Sequence, residues 1–142
     1  MISLNLKSTN SKTIKWKYDK DLVPYNTAIT IMEDHIKNIY EQKSSELIWL
    51  LEHPSIYTCG TSAKKEQILN HTDIPIVKSA RGGQVTYHGP GQRIIYVMLN
   101  LNYRKKDIRR YVKTLENWMI KSLEHFGIKA YTCSNRIGIW AD

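Results

Sequence analysis

The stretch Arg81-Gly-Gly-Gln-Val-Thr-Tyr-His-Gly-Pro-Gly-Gln92 holds four of the chain's seven glycines and also Pro90. No other segment constrains the fold as strongly. Glycine and proline both oppose a helix interior, so the segment must be loop and turn with at most a short extended piece. Strand-like runs bound it, Ile74-Pro-Ile-Val-Lys78 before and Arg93-Ile-Ile-Tyr-Val-Met-Leu99 after. The spacing predicts two strands tied by a glycine-rich connection.

The remaining elements follow in irregular order. Ile14, Trp16 and Tyr18 alternate with Lys15 and Lys17, which predicts a half-buried strand with a basic outer face. Tyr25, Ala28, Ile29, Met32, Ile36, Ile39 and Tyr40 recur at helical steps and form a core stripe. Glu46-Leu-Ile-Trp-Leu-Leu51, stopped by His53-Pro54, reads as a buried strand, and Ser55-Ile-Tyr-Thr-Cys59 is expected to pair with it. Asp107 is placed to cap a helix whose apolar face is Ile108, Tyr111, Val112, Leu115, Met119, Leu123 and Phe126, with Gly127 as its stop. Short strands are expected over 128–132 and 137–140, the second lying almost at the end of the sequence, where a turn and a further pairing partner are expected. Without regular strand–helix alternation, the predicted class is α+β, a mixed and largely antiparallel sheet packed with helices.

A chain of 142 residues with 42% apolar content suits one domain, 1–142, with a real core. Lys and Arg number 21 against 13 Asp and Glu, a net charge of +8. That balance favours an acidic partner without choosing among nucleic acid, membrane and protein. No helix-turn-helix, zinc finger or single-strand motif accompanies it, so nucleic acid is not expected. No apolar run nears the roughly 18–20 residues of a membrane span, and the first residues lack a signal-peptide pattern. The expectation is a cytoplasmic protein that does not enter the membrane. Cys59 and Cys133 lack metal-type spacing and are read as buried thiols. His35 and His125 fall on helices and His71 in a loop without ligand spacing, so neither a metal nor another cofactor is expected.

Within the central stretch, Gly82 and Gly83 let a ligand approach backbone N–H groups closely. Arg81 can fork onto a carbonyl, carboxylate or phosphate, and Thr86 and His88 share one face of an extended segment. A tight hairpin without a ligand fits the bare Arg-Gly-Gly equally well. The stretch matches neither the P-loop nor the dinucleotide glycine pattern. His88 either lines a site or holds the turn, and His53, before Pro54, reads as a turn element.

The pattern Arg-Gly-Gly-x-x-Thr-Tyr-His-Gly-Pro-Gly-Gln at 81–92 closely resembles the signature of the lipoate-biosynthesis octanoyltransferases, or lipoyl(octanoyl) transferases. Leu51-Glu-His-Pro-Ser-Ile-Tyr-Thr-Cys-Gly60 is similar to a second block of that family, and Asn135-Arg-Ile-Gly-Ile-Trp140 to a third. The resemblance implies a domain like the catalytic domain of biotin and lipoate protein ligases. It also implies transfer of an octanoyl group from acyl carrier protein to a lysine of lipoyl domains, in 2-oxoacid dehydrogenase complexes and in the glycine cleavage H protein. In such transfer a cysteine thiolate takes the acyl group and the acceptor lysine removes it, while a nearby lysine lowers the thiol's pKa. The resemblance carries a substrate-binding role onto Arg81, Gly82, Gly83, Gln84, Val85, Thr86, Tyr87 and His88.

The family's lysine and cysteine segments, of the Lys-Ile-Ala-Ala-Ile-Gly and Pro-Cys-Gly types, follow its third block. Neither occurs before Asp142, so no catalytic residue is assigned and the C-terminal portion of the domain is expected to be missing. An ATP-dependent lipoate protein ligase is the alternative enzyme, disfavoured by Gly89-Pro-Gly-Gln92. A non-catalytic remnant that binds the acyl carrier is the alternative without turnover. Acyl carrier proteins are acidic, so the basic runs Arg104-Lys-Lys-Asp-Ile-Arg-Arg110 with Lys113, and Lys7, Lys12, Lys15, Lys17 and Lys20, are either solvated faces or docking surfaces.

Overall fold

The computed structural model describes residues 13–69, 73–134 and 136–141. Lys7, Lys12, His71 and Asn135 lie outside them. The described residues fall into two compact units, one ending at Leu99 and the other including the described residues from Asn100 onward.

The first unit contains β1 (Lys15–Leu22), α1 (Tyr25–Tyr40), β2 (Leu47–Glu52), β3 (Ile56–Cys59), β4 (Ile76–Lys78), β5 (Val85–His88) and β6 (Ile94–Met98). One sheet runs β1-β2-β6, with β2 parallel to β1 and antiparallel to β6. A parallel pair needs a long crossover, and α1 supplies it. Ala28 and Ile39 of α1 pack with Leu47, Trp49, Leu51 and Met98, and Val23, Met32, Ile94 and Tyr96 surround that core.

The helical stripe is narrower than the periodicity predicts. Ile36 and Tyr40 are 52% and 77% exposed, and Tyr25, Ala28, Met32 and Ile39 carry the packing. His35 joins the same row, its Nε2 3.0 Å from the Ser45 carbonyl oxygen, so a polar anchor replaces the expected apolar contact.

The first strand reverses its predicted faces. Trp16 and Tyr18 are more than half exposed. The register pairs Lys17 with the fully buried Trp49, which puts Lys17 and Asp19 on the core side. The cause is the indole of Trp49, whose N–H needs an acceptor: it donates to Asp19 Oδ2 at 2.7 Å, while Lys17 Nζ lies 4.2 Å from the ring centroid and 3.0 Å from the same carboxylate oxygen. Burial raises the pKa of Asp19, but the hydrogen bonds from Lys17 and Trp49 and the Lys17 charge outweigh it and hold the carboxyl below its ordinary value.

β3 does not pair with β2. Pro54 lacks an N–H and Ser55 bends the chain, so β3 leaves to form a second sheet, ordered β4-β3-β5. There β3 runs parallel to β4 and antiparallel to β5.

In the second unit, α2 (Ile108–His125) precedes the antiparallel strands β7 (Ala130–Cys133) and β8 (Arg136–Ala141), which pack on it. Asp107 Oδ1 accepts the Arg110 N–H at 2.9 Å, the expected N-cap. Gly127 takes φ +77° and donates to the Glu124 carbonyl, the expected stop. Tyr111, Leu115, Met119 and Leu123 are half-buried, whereas Ile108 and Phe126 at the helix ends are exposed. The expected class holds: the protein is α+β, with small mixed sheets in which antiparallel pairing leads.

Candidate functional site

Strand alternation sets out the site. The register Thr58↔Thr86 puts Ile56, Thr58, Thr86 and His88 on one face of the second sheet and Tyr57, Cys59, Val85 and Tyr87 on the other. On the second face Tyr57 and Tyr87 pack at 5.4 Å, and Tyr87 Oη lies 3.0 Å from Ser55 Oγ. Cys59 therefore faces away from His88. Cys133 belongs to β7 in the other unit.

The glycine-rich loop is pinned at both ends. Arg81 Nη2 donates to the Thr58 carbonyl at 2.8 Å, to Thr58 Oγ1 at 2.7 Å and to the Gln84 carbonyl at 3.0 Å, while Nη1 donates to the Gly82 carbonyl at 2.9 Å. The guanidinium thus folds the loop onto β3. Gly60 donates to the Gln84 carbonyl, Thr61 to that of Arg81 and Ser62 to that of Gly83. A Cβ on Gly60 would come 2.7 Å from the Gly82 oxygen and closer still to that of Gly83, so the Leu51–Gly60 block must end in glycine where the Arg81–Gln92 loop lies over it. At the far end Glu52 Oε2 accepts the Gly91 N–H at 2.7 Å, and Glu52 Oε1 pairs with Arg93 at 3.1 Å. Between these anchors Gly82, Gly83 and Gln84 remain exposed, as do Thr86 and Tyr87, while Arg81, Val85 and His88 are half-buried.

On the inner face two histidines meet two tyrosines. The rings of His88 and Tyr25 stack at 6.3 Å with 10° between planes, and His53 lies edge-on to both, 5.9 Å from His88 and 5.5 Å from Tyr25. His88 Nδ1 is 3.0 Å from Gln92 Oε1, and its Nε2 is 3.4 Å from Thr58 Oγ1. Tyr25 Oη is 2.9 Å from Ser79 Oγ.

His53 is not a turn element. It is wholly buried, with Nδ1 2.6 Å from the Val23 carbonyl oxygen and Nε2 2.8 Å from Tyr96 Oη. A carbonyl only accepts, so Nδ1 carries the proton. Burial lowers the His53 pKa below its ordinary value and the nearby His88 lowers it further, against the opposing effect of the Val23 carbonyl. The neutral ring then accepts the Tyr96 O–H at Nε2. Burial, helped by Tyr25, pushes the Tyr96 pKa up to about 12 and keeps that phenol protonated. His53, Tyr25, Thr58 and Tyr96 were absent from the sequence-derived site. Of these, His53 and Thr58 lie within the Leu51–Gly60 block, which was the one available signal.

Seven segments of the first unit converge here, and their functional groups are imidazoles, phenols, hydroxyls, one amide and one internally bonded guanidinium. No carboxylate faces the two histidines among these groups. These groups bond one another, so the part of the site open to a ligand is the exposed loop backbone at Gly82, Gly83 and Gln84 that the cluster holds in place.

Known proteins are similar to this chain. Residues 24–142 match the family model described as the lipoyl protein ligase A/B catalytic domain. An octanoyltransferase of Ehrlichia chaffeensis is 49% identical over 128 residues, which cover 89% of this chain and 60% of that protein. The octanoyltransferase of Bartonella bacilliformis is 46% identical over 140 residues, 98% of this chain and 58% of that protein, and that of Bartonella quintana is 46% identical over 127 residues, 89% and 52%. The chain spans about half to three-fifths of the length of these curated relatives. Matched over residues 24–142, which include the glycine-rich loop and the strand it rests on, the chain belongs to the lipoyl protein ligase A/B catalytic-domain family.

Proposed function

We propose that the protein acts in lipoate assembly as an octanoyltransferase, moving an octanoyl group from acyl carrier protein to a lysine of a lipoyl domain. The observation that carries this reading is the loop Arg81–Gln92, held against β3 by Arg81 and at its far end by Glu52, with His88 turned onto the His53–Tyr25 cluster. Relatives named octanoyltransferase at 45–49% identity support it.

In this reading Arg81 to His88 line the acyl thioester. The exposed backbone of Gly82, Gly83 and Gln84, beside a cluster held neutral by the buried His53, suits a thioester carbonyl better than a charged phosphate, which agrees with the absence of a phosphate-loop pattern from the sequence. Arg81 contributes by shaping the loop, since its Nη groups bond the protein's own oxygens. The acyl-accepting thiol and its lysine are assigned to no described residue. The family model runs from 24 to 142 and supports treating the two units as parts of one ligase-like domain. The lipoyl domains of 2-oxoacid dehydrogenases and of the glycine cleavage H protein are the proposed acceptors, and the cytoplasm the proposed location. No described helix is long and apolar enough to cross a membrane.

The test is octanoyl transfer by the full-length protein, from octanoyl-loaded acyl carrier protein to an isolated lipoyl domain. Transfer without ATP is expected. Failure to transfer, with formation of lipoyl adenylate from lipoate and ATP, would replace this reading with the ligase.

A further inference from the structure

The first turns of α2 break several local rules together. Arg109, Lys113, Asn117 and Lys121 follow at four-residue steps, so they form one row along the helix, and all four are exposed. Arg110 flanks the row. Among the described residues, none of these cationic side chains makes a hydrogen bond or ion pair. Glu116 and Glu124 lie on the same helix without pairing to them. Arg109 and Lys113, like charges at this spacing, repel, and Lys121 extends the positive row beyond the neutral Asn117. The first turn also holds no acid, so Arg109 and Arg110 sit at the positive end of the helix dipole. Just ahead of it Lys105 and Lys106 adopt φ +64° and +50°, a conformation that side chains with a Cβ rarely take, and both are exposed. The Asp107 carboxylate at the N-cap offsets part of the dipole conflict but leaves the Arg109–Lys113 repulsion and the two positive φ angles unrelieved.

An acidic surface laid along the row would relieve the charge repulsion and the dipole conflict. The row runs twelve residue steps, about 18 Å of helix, the length of a partner helix of similar extent. Beside it Ile108 and Val112 are 67% and 39% exposed. Apolar side chains next to unpaired cations match a protein interface, whereas a phosphate backbone would use the cations alone.

We infer that this face of α2 is the docking surface for the acidic carrier protein that delivers the acyl group. The inference rests on the proposed octanoyl transfer for the identity of the partner, but the surface itself is read from α2. Its contribution is mainly to encounter: the row steers an oppositely charged carrier and loses that advantage as salt rises.

The experiment measures association of octanoyl-loaded acyl carrier protein with the chain by stopped-flow fluorescence, at low and high salt. The variants are R109E/K113E/K121E, the neutral R109Q/K113Q/K121Q, and a control reversing three cations of the first unit, K37E/K43E/K65E. Circular dichroism checks the helix content of each. The row reversal is expected to slow association by about tenfold or more at low salt and to abolish most of the salt dependence, the neutral variant to fall between, and the control to keep most of the rate. Equal losses in row and control would overturn the inference in favour of net charge, and no loss in either would overturn it outright. Row-dependent binding of a short DNA duplex, with carrier binding untouched, would overturn the choice of partner. A wild-type chain that ignores the carrier at every salt concentration refutes the functional reading itself, a result distinct from the other outcomes.

Discussion

The backbone of Gly60 passes directly beneath the carbonyl of Gly83, leaving no room for a Cβ between them. Two blocks far apart in sequence are thereby locked face to face. Gly60→Ala would drive a methyl into two backbone carbonyls that cannot rotate away, so a cost of about 1–3 kcal/mol is expected, with the loop displaced. Gly82→Ala meets nothing within 4 Å and is expected to change stability by less than about 0.5 kcal/mol. Urea denaturation of the two variants checks the contrast, and equal losses would show that the loop does not rest on Gly60 as described.

The Arg81 anchor depends on geometry as well as charge. Its Nη2 reaches both oxygens of Thr58 and the Gln84 carbonyl, a span that a single ammonium cannot reproduce. Arg81→Lys should therefore lose about 1–3 kcal/mol and make the loop more open to proteolysis, although the charge is kept. At the far end, Glu52→Gln keeps the size of the side chain but weakens the bonds to Gly91 and Arg93. A loss of about 1 kcal/mol is expected there. Limited proteolysis with mass mapping reads both: cleavage between 81 and 92 should rise in each variant, and an Arg81→Lys chain as resistant as wild type would refute the anchoring role.

Much of this was legible in the sequence, for identifiable reasons. Asp107 and Gly127 act through local backbone chemistry, so their cap and stop could be read without knowing any tertiary contact. The glycine-rich loop was legible because so few backbones tolerate its composition. The faces of β1 were not, because Trp49 recruits Lys17 and Asp19 to its own side, a demand made by a residue thirty positions away from Asp19. His53 was hidden for a similar reason. Its neighbour Pro54 advertises a turn, while both of its ring partners, Val23 and Tyr96, are distant in sequence. Thr58 looked like an ordinary strand residue until the register set it beside Arg81 and His88.

The two cysteines give a chemical test of the site. Cys59 is half-buried on the sheet face opposite His88, so strand geometry gives it no role beside the histidines. Incubation of the chain with octanoyl-loaded acyl carrier protein, followed by intact-mass measurement and peptide mapping, is expected to show no octanoyl adduct on Cys59 or Cys133. An adduct at either position would make that cysteine an acyl acceptor and displace its structural reading.

Buried His53 should leave its mark on stability as the pH falls. In the unfolded chain it titrates near the ordinary 6.5, and in the folded chain lower, chiefly through burial. Between those values the unfolded state binds more protons than the folded one, so stability rises with pH across the window. The contribution is complete above the unfolded value and is lost as pH falls through the folded one. Tyr96 acts in the opposite sense at the alkaline end: its pKa rises from 10.0 to about 12, so its contribution is present below 10.0 and lost as pH climbs through the folded value. Thermal unfolding from about pH 8 down to about pH 5 should therefore show Tm falling on the acid side. In His53→Gln the side-chain amide can still donate and accept but cannot titrate. That variant should start from a lower Tm at neutral pH and lose less of it on acidification than wild type. Identical acid slopes in the two proteins would mean that the proton is taken up elsewhere and that the neutral His53 bridge between Val23 and Tyr96 does not govern the acid limb.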